Sequence, residues 1–291
     1  MADSNRPARR LLTLGEAQEI AEDLRHDRRA RIEDVRFPDG FELQVGSLHA
    51  VWFANCHIRL TVGGGMLRGG VMEDCRFVDT ELDRLTVVGA EMRSNTFERV
   101  TVGTEATSTI EDTMIEGGSL RDCRLQDVEF RKSTLRGVSF ERGRLERVRF
   151  SGCTLTETRV GSSLHDVTFE QSGFEGSDLS ESDAVDVSFD ASASWDLRLP
   201  ERRTSFFVTP AAVVEAISAA GLAASRPRAK FEDRLREVVR GGPDAVAMSE
   251  RLLTAGLGAR PDDATRLIDA LFAFRLAALG DAHRDAAPAR R

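Results

Sequence analysis

The sequence predicts a repeat protein: a long central tract with a five-residue apolar period, opened by one helix and closed by several. Three observations carry this. Large apolar residues recur at every fifth position through most of residues 43–189. Charged residues twenty positions apart are opposite in sign. After Thr209 the apolar spacing becomes that of an α-helix. A helix repeats its apolar positions about every 3.6 residues and a strand about every two. A strict five belongs to neither alone.

The clearest stretch is CRLQDVEFRKSTLRGVSFERGRLERVRFSGCTL, residues 123–155. There Leu125, Phe130, Leu135, Phe140, Leu145, Phe150 and Leu155 stand five apart. Towards the N-terminus the ladder reads through Met92, Phe77, Met72 and Val62, slips by one residue at Ile58, and continues as Phe53, Leu48 and Leu43. The segment GTEATST (103–109) interrupts it. A second slip after Val160 leads to Leu164, Phe169, Phe174, Leu179, Ala184 and Phe189. The residue two before each ladder position is small or β-branched, as at Cys75, Thr113, Ser133, Cys153, Ser172 and Ser177. The other three positions of each five are mostly polar or Gly, so two residues in five are expected to point inward.

Stacked outward charges should alternate in sign, because like charges directly opposite are destabilising. At a spacing of twenty the pairs are Glu73/Arg93, Asp79/Arg99, Glu111/Arg131, Asp112/Lys132, Glu116/Arg136, Arg121/Glu141, Asp122/Arg142, Asp127/Arg147 and Glu129/Arg149. Within these unslipped segments only Arg124/Arg144 is alike in sign. One coil is therefore expected to take twenty residues, giving about seven or eight coils at a strand spacing of about 4.8 Å. The rule fails near the end: Asp166 falls over Asp186 and Glu170 over Asp190. Between Arg159 and Arg198 there are nine acids and no Lys or Arg.

The units SDLSE (177–181), CRFVD (75–79) and STLRG (133–137) resemble the pentapeptide-repeat family. The resemblance implies a mainly β fold: a right-handed, four-sided β-helix over residues 41–197. Residues 1–40 are then an N-terminal arm with a capping helix, and 205–291 an α-helical domain with a disordered tail. In a subset of that family an acidic β-helix imitates duplex DNA and occupies the basic saddle of DNA gyrase, a type II topoisomerase, modulating it or protecting it from inhibitors. Such a saddle is basic because it neutralises phosphates, and spaced carboxylates offer the complementary field. The implied partner-binding face is Asp166, Glu170, Glu175, Asp178, Glu181, Asp183, Asp186 and Asp190. The alternative is a scaffold whose β-helix is a spacer and whose C-terminal domain binds a protein partner or self-associates.

At the N-terminus, TLGEAQEIAEDLRH (13–26) predicts a helix opened by a Thr13–Glu16 capping box, with Leu14, Ala17, Ile20, Ala21 and Leu24 on one face. Near the C-terminus helices are expected over 209–221, 228–242, 243–256 and 261–280. In the last, Leu267, Leu271 and Phe274 make an apolar row flanked by Phe272 and Leu279. These five residues are the expected homodimer surface.

Composition excludes several classes. Of 291 residues 41% are hydrophobic and 30% charged, as in a globular chain. The net charge is −8. Residues 51–190 alone carry −9 and residues 191–291 carry +3, which is not a nucleic-acid footprint. No apolar run reaches the roughly 18 residues that span a membrane, and no secretory leader opens the chain, so a cytoplasmic location is expected. Cys56, Cys75, Cys123 and Cys153 form no CxxC pair and all lie at the small inward position. VGGGMLRGG (62–70) lacks the Gly-Lys-Ser/Thr ending of a phosphate loop. The expectation is a protein without enzymatic activity, metal or cofactor, and with no direct contact to nucleic acid.

Overall fold

The computed structural model describes residues 8–219, 245–248 and 261–279, with short gaps inside these ranges. The chain divides into two compact units, Met1–Val148 and Arg149–Arg291.

In the first unit the ladder residues fall into register in four columns, all through parallel strand pairs. One column runs Ile32, Phe53, Met72, Met92, Ile115 and Leu135. The next holds Ile58, Phe77, Phe97, Leu120 and Phe140. The third is Val62, Leu82, Val102, Leu125 and Leu145. The fourth is Leu48, Leu67, Val87, Ile110 and Phe130. This is a β-solenoid with four strand segments per coil. Phe77 pairs with Phe97 and Leu125 with Leu145, each twenty residues on. The Phe53-to-Met72 step is shorter by one because the ladder slips after Ile58, and the Met92-to-Ile115 step is longer because 103–109 intervene.

The period of five follows from where the chain turns. The second residue after a ladder position adopts left-handed backbone, as at Asp79 (φ 49°), Asp122 (φ 53°), Asp127 (φ 54°) and Gly137 (φ 61°). Asp and Gly tolerate that conformation best. Each unit of five is thus a strand of about three residues, with the ladder side chain inward at its centre, and a corner.

At the corners the strand ladder breaks, and the small inward position repairs it. Ser133, 1% exposed, accepts from Thr113 N–H at 3.2 Å and donates to Ile110 C=O at 3.2 Å in the preceding coil. Asn95 does the same with its amide, accepting from Cys75 N–H at 2.9 Å and donating to Met72 C=O at 2.8 Å. This position therefore favours small hydrogen-bonding residues and not merely small ones.

The N-terminal helix, α1 (Leu14–Arg25), forms as expected, with Thr13 and Glu16 satisfying each other's backbone. Ala17, Ala21 and Leu24 are buried, but Leu14 is 57% exposed and lies outside the packed stripe. Two further differences appear nearby. The coils begin before residue 41: strand Arg31–Glu33 pairs with Trp52–Ala54, and Arg10–Leu11 pairs with Val35–Arg36. Ile32 and Phe37, five apart and buried, are the ladder positions there. Leu43 is not a ladder residue, because it pairs with Leu60, two positions before Val62.

In the second unit Leu155, Phe174 and Ser194 form one column, Leu164 pairs with Ala184, and Phe169 pairs with Phe189. Phe150, Phe169 and Phe189 stack ring on ring at 4.9 Å, and Phe174 meets Phe169 and Phe189 edge-on. The C-terminal segment is not purely helical. Ala245–Met248, expected within a helix over 243–256, is a strand. It pairs antiparallel with both Asp183–Asp190 and Ser205–Val208. All four of its residues are buried, so helical periodicity gives way to burial on both faces. Helices α2 (Pro210–Ala219) and α3 (Pro261–Ala273) occupy two expected positions. Thr209 caps α2, its Oγ1 accepting from Ala212 N–H at 3.3 Å. The helix expected over 228–242 and the tail after 280 lie outside the described residues.

The expected homodimer surface is largely occupied within the chain. Leu267 and Leu271 are fully buried in a cluster with Phe206, Val213, Val246 and Met248, and Phe272 packs partly buried against it. Leu279 belongs to a two-residue strand paired antiparallel with Leu197–Arg198. Phe274 lies outside the described residues. Among the described residues no helix is long and apolar enough to cross a membrane.

Candidate functional site

Charge compensation differs between the units. In the first unit Asp79–Arg99 (2.6 Å), Arg121–Glu141 (3.1 Å), Asp122–Arg142 (3.0 Å) and Asp127–Arg147 (2.6 Å) close as ion pairs between coils, and Glu116–Arg136 meets at 4.0 Å. Arg124 and Arg144, the one like-signed stack, both reach Glu146, at 3.5 and 3.0 Å, and Arg147 joins them at 2.6 Å. Arg147 and its neighbours hold the Glu146 carboxyl below its ordinary range, and Arg147 likewise lowers Asp127.

The eight predicted acids all lie in the second unit, and the coils divide them into two groups. Two form ion pairs with arginines from neighbouring coils, and a third stands in backbone register with two arginines. Glu170 pairs with Arg149 at 3.0 Å and Glu181 with Arg202 at 2.7 Å. Asp178 pairs by backbone register with both Arg159 and Arg198. Partial burial would raise the Asp178 carboxyl, yet it sits below its ordinary range, held there by Ser180 and the fields of Arg198 and Arg159. Its Oδ1 accepts from Ser180 N–H at 2.8 Å. The spacing of about twenty that predicts pairs upstream also links these acids to the arginines that bound the base-free stretch.

The other five, Asp166, Glu175, Asp183, Asp186 and Asp190, make no ion pair among the described residues. Asp166 and Asp186 are both corner residues, each with φ 55°, and the strand register on either side places one over the other. Burial pushes the Asp186 carboxyl above its ordinary range; His165 opposes this and Asp166 adds repulsion. Asp190 pairs by backbone register with Glu170, and Asp183 with Ser163. Glu175 stands in a separate column, between Thr156 and Trp195. Four of the five uncompensated acids therefore cluster along the paired segments 163–170 and 183–190, and Glu175 stands apart. Nearby, His165 Nδ1 is buried with no hydrogen-bond partner among the described residues.

Parallel coils, an interior filled by ladder side chains and an outer surface patterned by charge define a β-solenoid repeat protein that presents a surface. The family model described as pentapeptide repeats matches residues 119–159 of this chain in eight copies. Among solved structures it is similar to full-length QnrB1, a plasmid-mediated fluoroquinolone resistance protein. That match has 14% identity and a TM-score of 0.27, and covers 52% of this chain and 94% of that one. It is also similar to HetL, a pentapeptide-repeat protein involved in heterocyst differentiation regulation from the cyanobacterium Nostoc. There the identity is 13% and the TM-score 0.23, covering 62% of this chain and 94% of that one. No curated protein matches the sequence.

Proposed function

We propose that this protein is a non-enzymatic interaction protein whose acidic solenoid surface binds the basic DNA-binding saddle of a type II topoisomerase, DNA gyrase, as a surrogate for duplex DNA. One observation carries the reading: in the second unit Asp166 and Asp186 stack acid over acid, with Asp183 and Asp190 beside them and no ion pair on any of the four among the described residues. Folding does not favour that arrangement, since stacked like charges are destabilising. A basic partner would supply the missing countercharge. Carboxylates held on a rigid repeat lose little freedom on binding, and a concentrated negative field speeds encounter with a basic surface.

The test is gyrase supercoiling with the purified full-length protein, with and without a quinolone, at two salt concentrations. Inhibition or drug protection that weakens at higher salt is expected. A variant carrying Asp166→Asn, Asp183→Asn, Asp186→Asn and Asp190→Asn should lose the effect while keeping its circular dichroism spectrum. Equal activity of that variant, or no effect of the parent protein at low salt, overturns the proposal.

A further inference from the structure

We propose that Cys56 and Cys75 are a covalent modification site, joined by a disulfide between adjacent coils when the protein meets hydrogen peroxide. The inference is independent of the acidic surface. Both thiols occupy the small inward position, two residues before Ile58 and Phe77. Strand register pairs His57 with Arg76 and Ile58 with Phe77, and Arg76 N–H donates to Cys56 C=O at 2.7 Å. Cys75 therefore sits directly over Cys56, one coil away. Parallel strands lie about 4.8 Å apart, within the Cα separation of roughly 4.4–6.8 Å that a disulfide accepts. The residues are 0% and 1% exposed, and their thiols donate to backbone carbonyls, Cys56 to Ile32 and Ala54 at 3.2 Å and Cys75 to Glu73 at 3.3 Å.

The other cysteines show what a site without a neighbour looks like. Backbone pairing sets Cys123 between Val100 and Gly143, because Arg124 N–H donates to Val100 C=O and Arg144 N–H to Cys123 C=O. In the second unit Cys153 N–H donates to Ser172 Oγ. Above Cys75 the same position holds Asn95, so the site holds two thiols and no third.

The chemistry balances with peroxide as the oxidant. One thiolate attacks a peroxide oxygen, the O–O bond breaks, and a sulfenic acid forms with loss of water. The second sulfur then displaces that hydroxyl as a second water and forms the S–S bond. Two thiols and one peroxide give one disulfide and two waters. A neutral oxidant the size of water suits a buried pair, because it needs only brief local opening of the coil wall. The second cysteine in register one coil away favours disulfide closure over further oxidation of the sulfenic acid.

The experiment treats the folded full-length chain with hydrogen peroxide. Remaining thiols are then alkylated in denaturant, and intact mass and linked peptides are read by mass spectrometry. The expected product has lost two hydrogens, retains two alkylatable thiols and yields a Cys56–Cys75 peptide. Cys123→Ser should form it equally. Cys75→Ala, which keeps a small inward residue and is checked for folding by thermal melting, should not. The proposal is overturned if all four thiols remain alkylatable in the parent after treatment that oxidises the unfolded chain. It is equally overturned if the link joins other cysteines or survives Cys75→Ala.

Discussion

Ser172 serves two backbone groups of the preceding coil at once. Its hydroxyl accepts from Cys153 N–H at 3.2 Å and donates to Phe150 C=O at 3.2 Å, with the residue 1% exposed. Ser172→Ala would leave both without that partner in the interior, where an unsatisfied group costs about 1–3 kcal/mol. A loss of that size in urea unfolding is expected, and a neutral substitution would refute the account of the small position. Titration offers a second residue-scale check. Burial and Asp166 raise Asp186 above its unfolded value, so the folded state binds its proton more tightly than the unfolded chain does. Stability should therefore fall as pH rises from the ordinary carboxylate range through the raised folded value. Asp186→Asn should flatten that part of the pH–stability curve. Glu16 works the other way. Arg10 and then the Thr13 N–H and hydroxyl lower its carboxyl to about 2. Its contribution to α1 is present above the ordinary value and lost as pH falls towards about 2, a change that helix-specific hydrogen exchange would follow.

At the scale of elements, short strands and left-handed corners explain why neither helical nor strand periodicity describes the repeat. Three of the ion pairs between coils sit at those corners: Asp79 and Arg99, Asp122 and Arg142, and Asp127 and Arg147 are all left-handed residues. Such exposed pairs contribute roughly 0–1 kcal/mol each, so they select register more than they stabilise it. In the second unit α3 presents its apolar row to strands of its own chain. Leu271 is fully buried beside Phe206 and Val246. Leu271→Ala is expected to cost about 2–5 kcal/mol without changing the molar mass measured by light scattering. A shift from dimer to monomer would instead restore the self-association role.

At the scale of the whole molecule the question is where charge is left uncompensated. The chain carries −8 overall, but net charge alone says nothing of function. What distinguishes the second unit is a group of stacked acids that make no ion pair among the described residues. Neutralising Asp166 and Asp186 together should raise the urea midpoint, since repulsion between stacked like charges is relieved, while weakening any salt-sensitive binding to a basic partner. A stability gain with loss of binding would mark the stack as kept for recognition. A stability loss would mean that the pair has a structural role not accounted for by its charge.

The repeat was legible in the sequence because one physical constraint, a large inward side chain per corner, recurs at fixed spacing. Leu125, Phe130 and Leu135 announce their columns, and the charge pairs twenty apart announce the coil length, without any knowledge of contacts. Helices α1, α2 and α3 were legible from their caps and apolar stripes. Three things were decided only by tertiary structure. Ala245–Met248 became a strand because neighbouring strands take up its backbone hydrogen bonds while all four of its residues are buried. The eight acids separated into compensated and uncompensated groups because Arg149, Arg159, Arg198 and Arg202 arrive from neighbouring coils. Cys56 and Cys75, unremarkable nineteen residues apart, became neighbours because a slip in the ladder shortens that coil by one. Periodicity records what every coil must do alone; which residues of one coil meet those of the next depends on slips and insertions, and these fix the register of the stack.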